Sequence, residues 1–238
     1  LDVQLEQLEE WEESVDEQDR EALHVLAGDI ERRRVAARKR LLRALDSKRY
    51  ERLVDRVVRV LRQGPGKQPV EGRQPALGIA PQLIERKHRR IVKRGKRIDE
   101  SSPDAELHSL RIQCKGLRYA LEFHSDLYGE PAQRLIRTLV RLQDVLGEHQ
   151  DACVATDHLR DIVVNGGRRV PAPTLFVVGR LAERYAVRAV ELRTAYAKAF
   201  KPLRGKRWDR LKRKMTSLAA SYTTRAAPPP PLTAPDAG

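Results

Sequence analysis

His108, Arg111, Lys115, Arg118 and Glu122 recur at three- and four-residue spacing. At about 100° per residue, a helix gathers these five side chains into a sector of roughly 80°. Cations aligned along one face suit an anion that repeats, because several monovalent phosphate contacts add up without a shaped pocket. The competing structural use is a solvated face in which Lys115 and Arg118 pair with Glu122 along the helix. A second row, Arg86, Arg90, Lys93 and Arg97, lies in a stretch where eight of twelve residues are Lys or Arg, a density that calls for a bound anion or merely solubilises. Arg49, Arg52, Arg56 and Arg59 form a third row, equally open to both uses. Arg137 and Arg141 share a face with Asp144, Glu148 and Asp151.

Other chemistries find less support. His108, His149, Asp144 and Asp151 lack a compact ligand spacing such as H-E-x-x-H, so no metal site is expected. His88, His124 and His158 are expected to be structural or surface residues. There is no Gly-rich phosphate loop leading to a Lys, no G-x-S-x-G, and no cysteine nucleophile with an evident base, so neither catalysis nor a cofactor is expected. Aromatic residues make up only 5% of the chain and fall mostly on helix seams, which favours phosphate over nucleobase recognition.

Apolar seams must position these rows. Leu107, Leu110, Cys114, Leu117 and Leu121 run beside the first; Ile84, His88, Ile91, Gly95 and Ile98 beside the second; Leu135, Leu139, Leu142, Leu146, His149 and Cys153 beside Arg137 and Arg141. The 3.6-residue period predicts helices over 2–14, 19–45, 48–63, 81–98, 104–127, 132–164, 174–200 and 205–221. No strand pattern is evident, and the fold class is all-α. Ser102 and Pro103 read as a cap followed by a first turn. Gly147, in mid-helix at a cost of about 1 kcal/mol against Ala, is expected to permit close helix approach. The Pro- and Gly-rich stretch 64–80 reads as a linker and 223–238 as a disordered proline-rich tail.

Net charge is +14, but residues 1–20 hold nine acids against Arg20 and carry −8, leaving +22 elsewhere. Such a surplus points to nucleic acid, an anionic membrane surface or another phosphate polymer. Cys114 and Cys153, both on predicted buried faces, suit a reducing compartment. No apolar run is long enough to span a bilayer. The chain repeats itself. Ser47-Lys48-Arg49-Tyr50-Glu51-Arg52-Leu53 matches Gly205-Lys206-Arg207-Trp208-Asp209-Arg210-Leu211, and Leu1-Asp2-Val3 and Leu8 align with Ala152-Cys153-Val154 and Leu159. Two copies of one helical unit are implied, the first incomplete.

His108-Ser109-Leu110-Arg111-Ile112-Gln113-Cys114-Lys115-Gly116-Leu117-Arg118-Tyr119-Ala120-Leu121-Glu122, followed by Leu142-Gln143-Asp144-Val145-Leu146-Gly147-Glu148-His149-Gln150-Asp151, closely resembles the second half of a CHAD domain, the conserved histidine α-helical domain. The resemblance extends over about residues 1–222. It implies a helical bundle of two pseudo-symmetric repeats whose basic faces bind inorganic polyphosphate. His108, Arg111, Lys115 and Arg118 match the family's histidine and basic motif position by position. Arg86, Arg90, Lys93, Arg97, Arg49, Arg52, Arg56, Arg137, Arg141, Lys206 and Arg207 join them as candidate polyphosphate contacts. Leu1-Asp2-Val3 resembles the end of the first half's R-D-x-D-V segment, so the first repeat is expected as a remnant over 1–63 and the second over 81–222. An upstream CYTH domain that processes triphosphates is an implied partner, and a cytoplasmic location at polyphosphate granules is implied with it. A sequence-independent nucleic-acid binder remains the alternative.

Overall fold

Leucine and isoleucine at three- and four-residue intervals decide where helices form in this chain, because each such row buries one stripe and leaves its flanks to charged side chains. The computed structural model describes residues 1–13, 15–64, 75–166 and 170–226, and among these residues every regular element is helical. In order they are α1 (Asp2–Glu12), α2 (Glu17–Leu45), α3 (Lys48–Gln63), α4 (Ala76–Gly95), α5 (Asp104–Phe123), the single turn α6 (Ser125–Tyr128), α7 (Glu130–Gly166), α8 (Ala172–Phe200), a 3₁₀ turn (Lys201–Arg204) and α9 (Lys206–Ala226). None of these helices is long and apolar enough to cross a membrane.

Packing divides the chain into two compact units, residues 1–69 with 148–192 and residues 70–147 with 193–238. The expected division, a linker over 64–80 between 1–63 and 81–222, is drawn differently by the structure. Helices α7 and α8 are 37 and 29 residues long, enough for each to contribute to two cores. Residues 76–80 are the first turns of α4, and Ala80 is buried, so that end of the expected linker is structural. Residues 65–74 lie outside the described residues. The expected tail begins late, since α9 continues through Ala226; 227–238 are outside the described residues.

In the second unit, α5 buries Leu107, Leu110, Cys114, Leu117 and Leu121 against Ile84 and Ile91 of α4, Leu135, Leu139, Leu142 and Leu146 of α7, and Leu211 and Met215 of α9. Each fully buried aliphatic side chain contributes about 1.5–3 kcal/mol, which offsets crowding so much positive charge onto the outer faces. Gly95 permits a close approach in this unit. A Cβ there would overlap the Phe200 ring, and the Tyr196 hydroxyl donates to the Gly95 carbonyl at 2.9 Å. The entry to α5 differs from expectation. Pro103 itself occupies the cap position, while the Ser102 hydroxyl is held by Asp99, whose carboxylate also accepts from the backbone and side chain of Ser101.

In the first unit, Leu8 and Trp11 of α1 and Leu23, Leu26 and Ile30 of α2 pack with Leu159, Ile162, Val177, Val178 and Leu181. Three of the nine acids in residues 1–20 pair with bases further along the chain: Glu12 with His24 at 2.8 Å, Asp2 with Arg34 at 3.5 Å, and Asp19 with Arg180. Cys153, expected to be buried, is only half-buried.

The repeat is visible in the backbone. Both α2 and α8 are 29 residues long. Tyr50 N and Glu51 N donate to the Ser47 carbonyl as α3 begins, and Trp208 N and Asp209 N donate to the Gly205 carbonyl as α9 begins. The two helices then part in one respect. Leu211 and Met215 are buried, with Trp208 and Leu218 packed against them, whereas the matching Leu53 and Val57 are 55% and 50% exposed and α3 buries no residue. Leu211→Ala should therefore cost about 2–5 kcal/mol in a denaturation experiment, and Leu53→Ala less than about 0.5 kcal/mol. Comparable losses would show that α3 is covered in solution.

Candidate functional site: cationic grooves of the second unit

Helical spacing on α7 and α9 assembles a groove from residues far apart in the chain. Arg134, Arg137 and Arg141 of α7 meet Lys206, Arg207 and Arg210 of α9 around a space of about 470 Å³. Glu130 is the acid in its lining and accepts from Arg134 Nε at 2.7 Å and Arg137 Nη2 at 3.1 Å. The hydrogen bond from Arg134 is the main reason that carboxyl sits below its ordinary pKa. Arg207 Nη1 donates to Thr138 Oγ1 at 2.6 Å, and that hydroxyl donates to the Arg134 carbonyl, so the groove's floor is cross-braced. Six cations against one carboxylate leave a strong positive excess. The structure thus joins Arg137, Arg141, Lys206 and Arg207, and adds Arg134 and Arg210. Arg134 could have been found from its i, i+3 spacing to Arg137, and Arg210 from the repeat motif itself.

The row on α5 faces α7. Arg118 Nε donates to Gln143 Oε1 at 3.1 Å and its Nη1 to Glu122 at 2.7 Å, with the guanidinium 4.8 Å from the Tyr119 ring centre. Part of this row is therefore the intrahelical pairing weighed above. Lys115 is exposed, 5.8 Å over the same ring, and no acid among the described residues lies within 4 Å of it. Arg111 runs along α7 at Gly147, where a Cβ would stand 3.5 Å from its Nε. Gly147 thus faces a guanidinium, and an alanine there would make ordinary contact. His108 is half-buried, with Nδ1 lacking a partner among the described residues. Gln143 was missed as a partner because nothing in its own spacing distinguishes it.

A third cationic surface lies between α4 and α9. Arg89 and Lys93 of α4, Lys96 and Arg97 just past its end, and Lys212 of α9 rim a groove of about 570 Å³ lined also by Glu85, Val92, His88 and Trp208. The second predicted row is split: Lys93 and Arg97 enter this groove, while Arg86 and Arg90 point from the exposed outer face of α4. His88 is structural, as expected. Its Nε2 bonds to the Leu203 carbonyl at 2.8 Å, and its ring lies 3.6 Å from and nearly parallel to Trp208. Arg49, Arg52 and Arg56 belong to the first unit, exposed on α3, with Arg52 Nε donating to the Lys48 carbonyl at 3.1 Å. Cys114 offers no accessible thiolate, since burial pushes its pKa up to about 12.

The second unit is a helical bundle whose leucine seams hold arginines and lysines over open grooves. The CHAD domain family model matches residues 1–160, and the chain belongs to that family. No curated protein matches it.

Burial lowers the pKa of His88 from its ordinary 6.5, against smaller opposing pulls from the Leu203 carbonyl, Glu85 and Asp209. The unfolded chain takes this proton near 6.5 and the folded protein only at lower pH, so the unfolded state binds more protons as the solution is acidified. The stability that neutral His88 contributes is full above about 6.5 and declines as pH falls through that value toward the folded pKa. The melting temperature should fall between about pH 7.5 and about pH 5.5, with a shallower slope in a folded His88→Gln variant. Equal slopes would move the effect to His124 and His158, which burial also lowers.

Proposed function

We propose that this protein is a non-catalytic module that binds inorganic polyphosphate. The observation that carries this reading is the α7–α9 groove, where four separately predicted cations converge with two more. Arginine dominates its lining, and the planar guanidinium presents paired donors that match phosphate oxygens. The exposed Lys115 and the Arg111 guanidinium on α5 supply a further stretch of contacts, with His108 beside them. A polymer engages such dispersed contacts together, and each one after the first is intramolecular, so affinity grows with chain length without any tight pocket. Rows of arginine and lysine without an adjacent nucleophile and base favour binding over turnover. Family membership supports a phosphate-rich partner. A cytoplasmic setting near polyphosphate granules and association with a CYTH-type enzyme belong to the same proposal; the two thiols suit a reducing compartment.

Long-chain polyphosphate should bind much more tightly than tripolyphosphate, and orthophosphate should compete poorly; equal affinities across the three would reject the proposal. Binding should weaken steeply as salt rises. Competition between polyphosphate and duplex DNA at fixed salt separates this function from general nucleic-acid binding, which predicts the DNA to win. Combining Arg141→Glu, Lys206→Glu and Arg210→Glu, all at exposed positions, should lower polyphosphate affinity by about 10- to 100-fold while circular dichroism stays unchanged. Arg111→Glu with Lys115→Glu should have a smaller effect, and the reverse order would move the main site to α5.

A further inference from the structure

The α4–α9 groove contains a feature that linear polyphosphate cannot use. Trp208 is half-buried and lines the groove, its ring stacked on His88 at 3.6 Å with an interplanar angle of 5°. The bond from His88 to the Leu203 carbonyl fixes the lower ring, so the indole is held in one orientation. Leu211 and Met215 already fill the core beneath α9 and are buried essentially completely, while the larger ring of Trp208 stays at the rim. Val92 adds apolar surface beside it. Among the cations of the rim, Lys212 is paired with Glu85 at 3.6 Å, which leaves the end formed by Lys93, Lys96 and Arg97 the more positive.

An aromatic plane at one end of a cationic groove fits a ligand that joins a planar ring to several phosphates. The volume of about 570 Å³ lies within the range of small-molecule sites. Stacking on an indole is tolerant of base identity, and three flexible or forked cations accept a short phosphate chain without fixed register. We propose that this groove binds a nucleoside polyphosphate, with the base on Trp208 and the phosphates on Lys93, Lys96 and Arg97. The site is separate from the α7–α9 groove and does not rest on the polyphosphate reading. Trp208 packs on the core, in keeping with aromatics that fall mostly on helix seams, and also lines the groove.

The test compares adenosine triphosphate with tripolyphosphate on the full 238-residue protein by calorimetric titration, with tryptophan emission as a second readout. The two probes carry the same number of phosphates and differ in the adenosine, and charge alone favours tripolyphosphate, which has one more ionisable oxygen. Adenosine triphosphate should bind on the order of tenfold more tightly and quench the emission, as base stacking on an aromatic side chain would require. Trp208→Leu should reduce its affinity to that of tripolyphosphate, and Trp208→Phe should retain part of the preference. Because Trp208 also packs on the core, Lys96→Glu at an exposed position supplies a second variant, expected to weaken both probes several-fold in a folded protein. Equal affinity for the two probes, or a preference that survives in folded Trp208→Leu, overturns the proposal. A parallel titration with long-chain polyphosphate keeps the two readings apart. If the polymer binds and adenosine triphosphate shows no preference, the nucleotide site alone fails; if the preference holds and the polymer does not bind, the polyphosphate reading alone fails.

Discussion

Close packing of the leucine seam on α5 is the constraint under which the second unit places its charges. Once Leu107, Leu110, Cys114, Leu117 and Leu121 turn inward, helical geometry leaves Arg111 and Arg118 no choice but the flank toward α7. The same geometry on α7, with Leu135, Leu139, Leu142 and Leu146 inward, sends Arg134, Arg137 and Arg141 to the opposite side, where α9 meets them. Cations that repel one another are held together because separating them would expose the seam. The grooves are therefore set by the packing of the seams, and folding accepts the repulsion among their cations.

Not every cation in a row is equally available to a ligand. Arg118 is engaged with Glu122 and Gln143, and Arg207 braces Thr138, so each would have to exchange protein contacts for phosphate. Lys115, Arg141 and Arg210 stand exposed. The arrangement separates two jobs that share one chemistry: guanidinium groups that fix the relative placement of helices, and others that face solvent. Exposed ion pairs such as Arg134 with Glu130 contribute little to stability and can open at small cost, so the groove's single acid is a weak competitor for its arginines.

The helices and their inward faces were legible in the sequence because periodicity is local. The α5 seam and the α4 seam through Gly95 are buried as the spacing predicted, with Ile98 only partly so. Convergence was not legible. Nothing in the spacing of Arg137 and Arg141 says that Lys206 and Arg207 lie across a groove from them, since that depends on how α7 and α9 pack. The row on α4 divides for a similar reason: Lys93 and Arg97 are close enough to α9 to share a groove, and Arg86 and Arg90 are not among its lining. Trp208 packs on the core as a seam position requires, but such a position does not say whether part of a large ring also lines a groove. The division into two units was hidden because α7 and α8 run on as unbroken helices where they pass from one core to the other, and Gly147 at the crossing in α7 does not interrupt the helix.

Helix α3 has arginines on one side and leucines and valines on the other, with both sides in water. Dissolved salt acts on one of those sides and spares the other. It screens the arginines and weakens their repulsion of other α3 helices, while it leaves the drive to hide Leu53, Val57 and Leu61 intact. Ionic strength is thus a colloidal variable for this protein as well as an electrostatic one. A salty buffer is the one in which the charge of α3 protects the chain least from clustering through this helix.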